Sequence, residues 1–112
     1  MEYMEHKLHP VEETFKNYLK ERFNDKNINI ETIGGFYVFI IEISSDMDLR
    51  IEFGLGKNMM DGYDYLYVDS FLFSENKELV TYNQVIDLGR NATLNNEKSK
   101  EIVDELLNEL NY

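Results

Sequence analysis

The chain has 112 residues (13.3 kDa), 43% of them hydrophobic and 13% aromatic, which suffices for one core, is too short for two and is too apolar for intrinsic disorder. It contains no cysteine, which excludes a disulfide framework, thiolate zinc centres and a cysteine nucleophile. With 22 acidic against 11 basic side chains the formal net charge is −11, a balance that repels nucleic acid and attracts basic protein surfaces.

The N-terminus, Met1–Lys7, lacks the basic and apolar regions of a signal peptide, and residues 1–9 are expected to form a mobile tail. His9-Pro10 reads as a helix entry, with proline at the first position where its missing N–H costs nothing. Val11, Phe15, Tyr18, Leu19 and Phe23 then form one apolar stripe of helical period. Residues 27–33 alternate with Ile28 and Ile30 on one face, and Gly34-Gly35 is a hairpin signal because both turn positions accept φ > 0. Residues 36–44 are apolar on both faces, as in a central strand. After a turn at Ser45-Asp46-Met47-Asp48, Leu49, Ile51, Phe53 and Leu55 alternate with Arg50 and Glu52, one face to the core and one to water.

Residues 57–62 read as a loop and 63–73 as a fourth strand. Thr81-Tyr82-Asn83-Gln84 has the form of a capping box, and Gly89 would close a short helix over 82–88. A final helix from about residue 95 carries Ile102, Val103, Leu106, Leu107 and Leu110 on its apolar stripe. The expectation is a single α+β domain over 1–112. It is a four-stranded antiparallel meander with an N-terminal helix, a short helix and a C-terminal helix (α-β-β-β-β-α-α), the helices on one sheet face. No apolar run approaches the roughly 20 residues needed to span a bilayer. A cytoplasmic location is expected, in which the Asn91-Ala92-Thr93 sequon is idle. The richness in Asn, Ile, Lys, Glu and Tyr suggests an AT-rich genome such as that of a low-GC bacterium or its phage.

The charge is unevenly spread. Residues 1–26 sum to −1 and residues 76–112 to −3, whereas residues 27–75, the expected sheet, sum to −7. Within the fourth strand Tyr63, Tyr65, Tyr67, Phe71 and Phe73 alternate with Leu66, Val68 and Leu72. If the aliphatics face the helices, the aromatics stand on the far side of the sheet near Asp61, Asp64 and Asp69. Tyrosines among carboxylates make a protein-binding patch, since tyrosine supplies large contact area at low entropic cost. The competing reading makes the aromatics the core face and the acidity an aid to solubility.

Other constellations carry less. His6 and His9 stand at i, i+3, but Pro10 interrupts the turn, and neither lies in a triad context. Asp46-x-Asp48 and Asp61-Gly62-x-Asp64 lack the register and the twelfth-position glutamate of a calcium loop. Gly54-Leu55-Gly56-Lys57 is too short for a phosphate loop. No catalytic residue, cofactor site or metal site is assigned.

The function expected is a small acidic non-enzymatic inhibitor that binds a basic, nucleic-acid-handling protein, a nuclease or defence effector. A phage anti-defence protein (anti-CRISPR or anti-restriction) is the first setting. The partner-binding surface would be Asp61, Tyr63, Asp64, Tyr65, Tyr67 and Asp69. The alternatives are a bacterial immunity protein neutralising a nuclease toxin and a self-associating interaction module; an enzyme using carboxylates or a recruited metal ranks last. Neither direct nucleic-acid binding nor membrane binding is expected, and the chain is taken as a monomer or homodimer.

Overall fold

The structure is a computed structural model. It describes residues 9–57, 64–75, 77–89 and 93–111, with Lys57 and Asp64 as backbone only. Helix α1 spans Pro10–Arg22 and opens on His9, an extended residue that serves as the N-cap. The His9 Nδ1 accepts from the Val11 N–H (3.2 Å), and the Glu12 carboxylate accepts from the His9 N–H (3.3 Å). Two of the otherwise orphaned N–H groups at this end are thereby satisfied. His9, the last residue of the expected tail, is thus held as the cap, and residues 1–8 lie outside the described residues.

Five strands follow, β1 (Asn27–Ile33), β2 (Phe36–Ser44), β3 (Met47–Lys57), β4 (Asp64–Ser74) and β5 (Lys77–Gly89), and α2 (Asn96–Glu109) ends the order. The strands form one antiparallel meander in the order β1-β2-β3-β4-β5. Gly34 and Gly35 both take positive φ (58° and 84°) in the two-residue turn between β1 and β2, the backbone a tight hairpin demands. The second turn is shorter than expected, Ser45-Asp46, with β3 already under way at Met47.

Both helices pack on one face. Val11, Phe15 and Leu19 of α1 and Ile102, Val103 and Leu106 of α2 are buried against Tyr37, Phe39, Ile41, Leu49, Ile51, Phe53, Leu66 and Val68. The Phe15 ring meets Phe53 edge-on at 5.0 Å between centroids, and Tyr37 stacks on the same ring at 5.6 Å. α1 therefore lies over β2 and β3. α2 lies over β5, where the Gln84 side-chain amide donates to the Ile102 carbonyl (3.2 Å). Arg22 ties the helices together, bonding the Tyr18 hydroxyl (3.0 Å) and pairing with Asp104 (2.8 Å).

One expected element is overturned. Residues 82–88 are not a short helix but the middle of β5, so the sheet has five strands and the chain two helices. Thr81, read as a helix cap, instead donates its hydroxyl to the Ser70 carbonyl of β4 (3.2 Å), and the Ser70 hydroxyl returns a bond to the Tyr82 carbonyl (2.9 Å). Val80, Thr81, Tyr82, Val85 and Ile86 are β-branched or aromatic, suited to a pleated surface, and pairing with β4 outweighed the capping pattern. Residues 58–62 of the expected loop and the first residue of the expected fourth strand, Tyr63, lie outside the described residues. Among the described residues no helix is long and apolar enough to cross a membrane.

Candidate functional site

The opposite sheet face is covered by no described element, and the register fixes what stands on it. Leu49, Ile51 and Phe53 point to the helices, so Asp48, Arg50, Glu52, Gly54 and Gly56 of β3 point away. Pairing extends that face to Glu31, Val38, Asp69 and Asn83, which form one row with Glu52 across the sheet. The neighbouring row is Asn29, Ile40, Arg50, Phe71 and Thr81, and the next is Asn27, Glu42, Asp48, Phe73 and Glu78. Tyr67 and Val85 flank the first row on its other side, with Tyr65 and Asp87 beyond them.

Among the described residues this face therefore carries seven carboxylates (Glu31, Glu42, Asp48, Glu52, Asp69, Glu78, Asp87) against one cation, Arg50. Five of the nine acidic residues of 27–75 thus share this one face. α1, by contrast, balances Glu12, Glu13 and Glu21 with Lys16, Lys20 and Arg22. Arg50 Nε lies 2.8 Å from a Glu52 carboxylate oxygen. Asp69 stands directly opposite Glu52, and partial burial, followed by the charge of Glu52, raises its pKa above the ordinary carboxylate value. Like charges placed directly across a ladder destabilise it, so this arrangement is not explained by folding.

The aromatics on this face have a local cause for their pose. A Cβ at position 54 would lie 2.9 Å from Phe36 Cδ1, and one at position 56 would collide with the Tyr67 ring. Glycine at both positions lets the two rings lie against the β3 backbone, an arrangement that offsets the weakness of glycine in a strand. Phe71 and Phe73 stand side by side at 6.1 Å between ring centroids. Val38 is fully buried although it faces away from the helices, flanked by Phe36, Ile40, Glu31 and Glu52. A shallow depression lies between Ile40, Asp48, Arg50 and Phe73. The result is an aromatic and aliphatic floor with carboxylates standing over it.

Of the six residues expected to bind a partner, Tyr65, Tyr67 and Asp69 lie on this uncovered face, the aromatics away from the core and Leu66, Val68 and Leu72 toward it. Asp61, Tyr63 and the side chain of Asp64 lie outside the described residues. Glu31, Glu42, Asp48, Glu52 and Glu78 and the ring of Phe36 join the face from other strands. Alternation within each strand was their signal in the sequence, but the shared face also needs the one-residue register shift of β2 against β3 between Glu42 and Ser44, which the two-residue turn at Ser45-Asp46 does not give.

The minor constellations resolve into structure. Asp46 sits in a turn, its carboxylate accepting from the Ser44 hydroxyl (2.9 Å), and Gly54–Lys57 is strand. Among the described residues no group of three or more His, Asp or Glu side chains is arranged to hold a metal ion. Comparison of the chain with protein-family models, with curated proteins and with solved structures returns no match.

Proposed function

We propose that this protein is a non-catalytic binding module whose acidic, aromatic sheet face occupies a basic surface on a nucleic-acid-handling protein and so inhibits it. One observation carries the reading: seven carboxylates against a single arginine share the sheet face that no described helix covers. Carboxylates spaced over a flat apolar floor present negative charge much as a phosphate backbone does, while the rings supply contact area. Charge complementarity of this kind acts mainly through fast, salt-sensitive association, and the aromatic contacts slow dissociation. The strain of opposing Glu52 and Asp69 supports the same reading, because a cation from a partner would relieve it.

The test is affinity capture from a nuclease-treated bacterial lysate with the wild-type chain and with Asp48→Asn/Glu52→Gln/Asp69→Asn. The expected result is a basic nucleic-acid-binding protein that wild type retains, that salt or added DNA displaces and that the triple variant loses. Equal retention by the folded variant overturns the assignment of the face. The captured protein also separates the settings: a CRISPR or restriction effector indicates anti-defence, a nuclease toxin indicates immunity.

A further inference from the structure

Three of the five large apolar side chains that remain exposed among the described residues, Leu79, Val80 and Val85, belong to one strand, β5. β5 is a sheet edge, paired by β4 on one side and by no described strand on the other, so a row of backbone N–H and C=O groups faces outward. Proteins protect such edges with charge, proline or brevity. β5 runs for 13 residues, and positions 79–86 (Leu-Val-Thr-Tyr-Asn-Gln-Val-Ile) hold no charge and no proline. The other edge, β1, is 7 residues long and carries Glu31. Along the helix-side face of β5 an open groove of about 370 Å³ is lined by Tyr82 and Ile86 and by Lys98, Glu101 and Glu105 of α2.

We propose that β5 is the seam of a homodimer: β5 of a second copy pairs antiparallel with it across a two-fold axis normal to the sheet, joining two five-stranded sheets into one of ten strands. Such an axis keeps each face on its own side, so that opposed residues share parity. With the axis at Asn83, Val80 opposes Ile86 and Thr81 opposes Val85; with the axis at Gln84, Tyr82 opposes Ile86 and Val80 opposes Leu88; in neither register does a carboxylate of β5 oppose another. Charge argues for a second copy here rather than on the uncovered face, where seven carboxylates would be stacked on seven; within the β5 ladder no like charges oppose, and Glu101 of α2, which lines the groove beside the axis, has Lys98 of its own helix at 3.5 Å. α2 supports the same axis. It runs antiparallel to β5, with Asn95 near Asp87, Ile102 at Gln84 and Glu105 at the Tyr82 hydroxyl. The two-fold therefore lays the two α2 helices side by side in opposite senses, bringing Lys98 of one copy toward Glu105 of the other.

The seam does not depend on the function proposed above, although it would set two acidic faces side by side on one surface. Light scattering on the full chain at micromolar concentration is expected to give twice 13.3 kDa. Amides within 79–86 should exchange more slowly than they do after dilution, with those of β1 unchanged. Asn83→Lys/Val85→Lys opposes lysine to lysine with the axis at either residue and should halve the mass without altering the far-ultraviolet circular dichroism. Should the double variant lose its fold, the concentration series on the wild-type chain, mass together with exchange along 79–86, carries the test by itself. A monomer at every concentration, with fast exchange along 79–86, overturns the proposal, and so does a dimer that the lysines leave intact.

Discussion

Asp69 faces Glu52 across β3 and β4, and among the described residues the cation beside them is Arg50, which pairs with Glu52. Its pKa is raised, first by burial and then by the glutamate charge, so the folded state takes up this proton at a higher pH than the unfolded chain does. The ionised form is therefore a cost that is complete at neutral pH and disappears as pH falls through the raised folded value. Asp69→Asn should stabilise the protein by about 0.2–1 kcal/mol near pH 7, the size of a cross-strand pair effect, and the gain should shrink on acidification. Denaturant titrations at neutral and acidic pH check both statements. On the function proposed above, the same substitution should also weaken partner binding, since a surface shaped for binding gains stability when it is blunted. Gly56 makes a second prediction at this scale. Gly56→Ala drives a methyl into the Tyr67 ring and should cost about 1–3 kcal/mol as overpacking does; the displaced ring would be seen as a changed tyrosine signal in near-ultraviolet circular dichroism.

At the scale of elements, the parts that were legible in the sequence are those held by local signals. α1 followed from Pro10 and its apolar stripe, the first hairpin from Gly34-Gly35, and α2 from its period, with Asn95 as the cap that accepts from the Lys98 N–H (2.8 Å). β5 was not legible because its local signal conflicted with its context. Thr81-x-x-Gln84 fits a helix start, and only the presence of β4, where the Thr81 hydroxyl finds the Ser70 carbonyl and the Ser70 hydroxyl the Tyr82 carbonyl, selects the strand. Elements meet most tightly at Phe53, a fully buried ring touching Phe15, Tyr37 and Phe39. Phe53→Ala should cost about 3–5 kcal/mol, a large part of the 5–15 kcal/mol that typically holds a domain together. A strongly lowered denaturation midpoint is the expected result; an unchanged one would contradict the placement of α1 over β3.

Taken as a whole, the molecule is two layers with opposite tasks. The helix layer supplies the cover for the core, and the bare sheet layer concentrates the charge. Screening reaches inward to about 10 Å at 0.1 M salt, so association of the acidic face with a basic partner should slow steeply as ionic strength rises, chiefly through the on-rate. Stopped-flow or surface-plasmon measurements over a salt series check this, and a salt-independent on-rate would point to recognition by the apolar floor alone. Pairing through β5, which rests on backbone bonds and uncharged side chains, should not weaken with salt in the same way. Ionic strength thus separates the two surfaces in one preparation.

The sequence by itself determined the α+β class, the two terminal helices, the first three strands with the tight turn between the first two, and the concentration of acid in the middle of the chain. These follow from period, turn chemistry and composition, all of which act over a few residues. It did not determine that the acid shares one face, that Phe36 and Tyr67 lie over glycines of β3, or that 77–89 joins the sheet as its exposed edge. Each of those depends on register between strands distant in the chain. A slip of one residue would send every carboxylate of a strand to the other face, so only the assembled sheet could decide where the charge points.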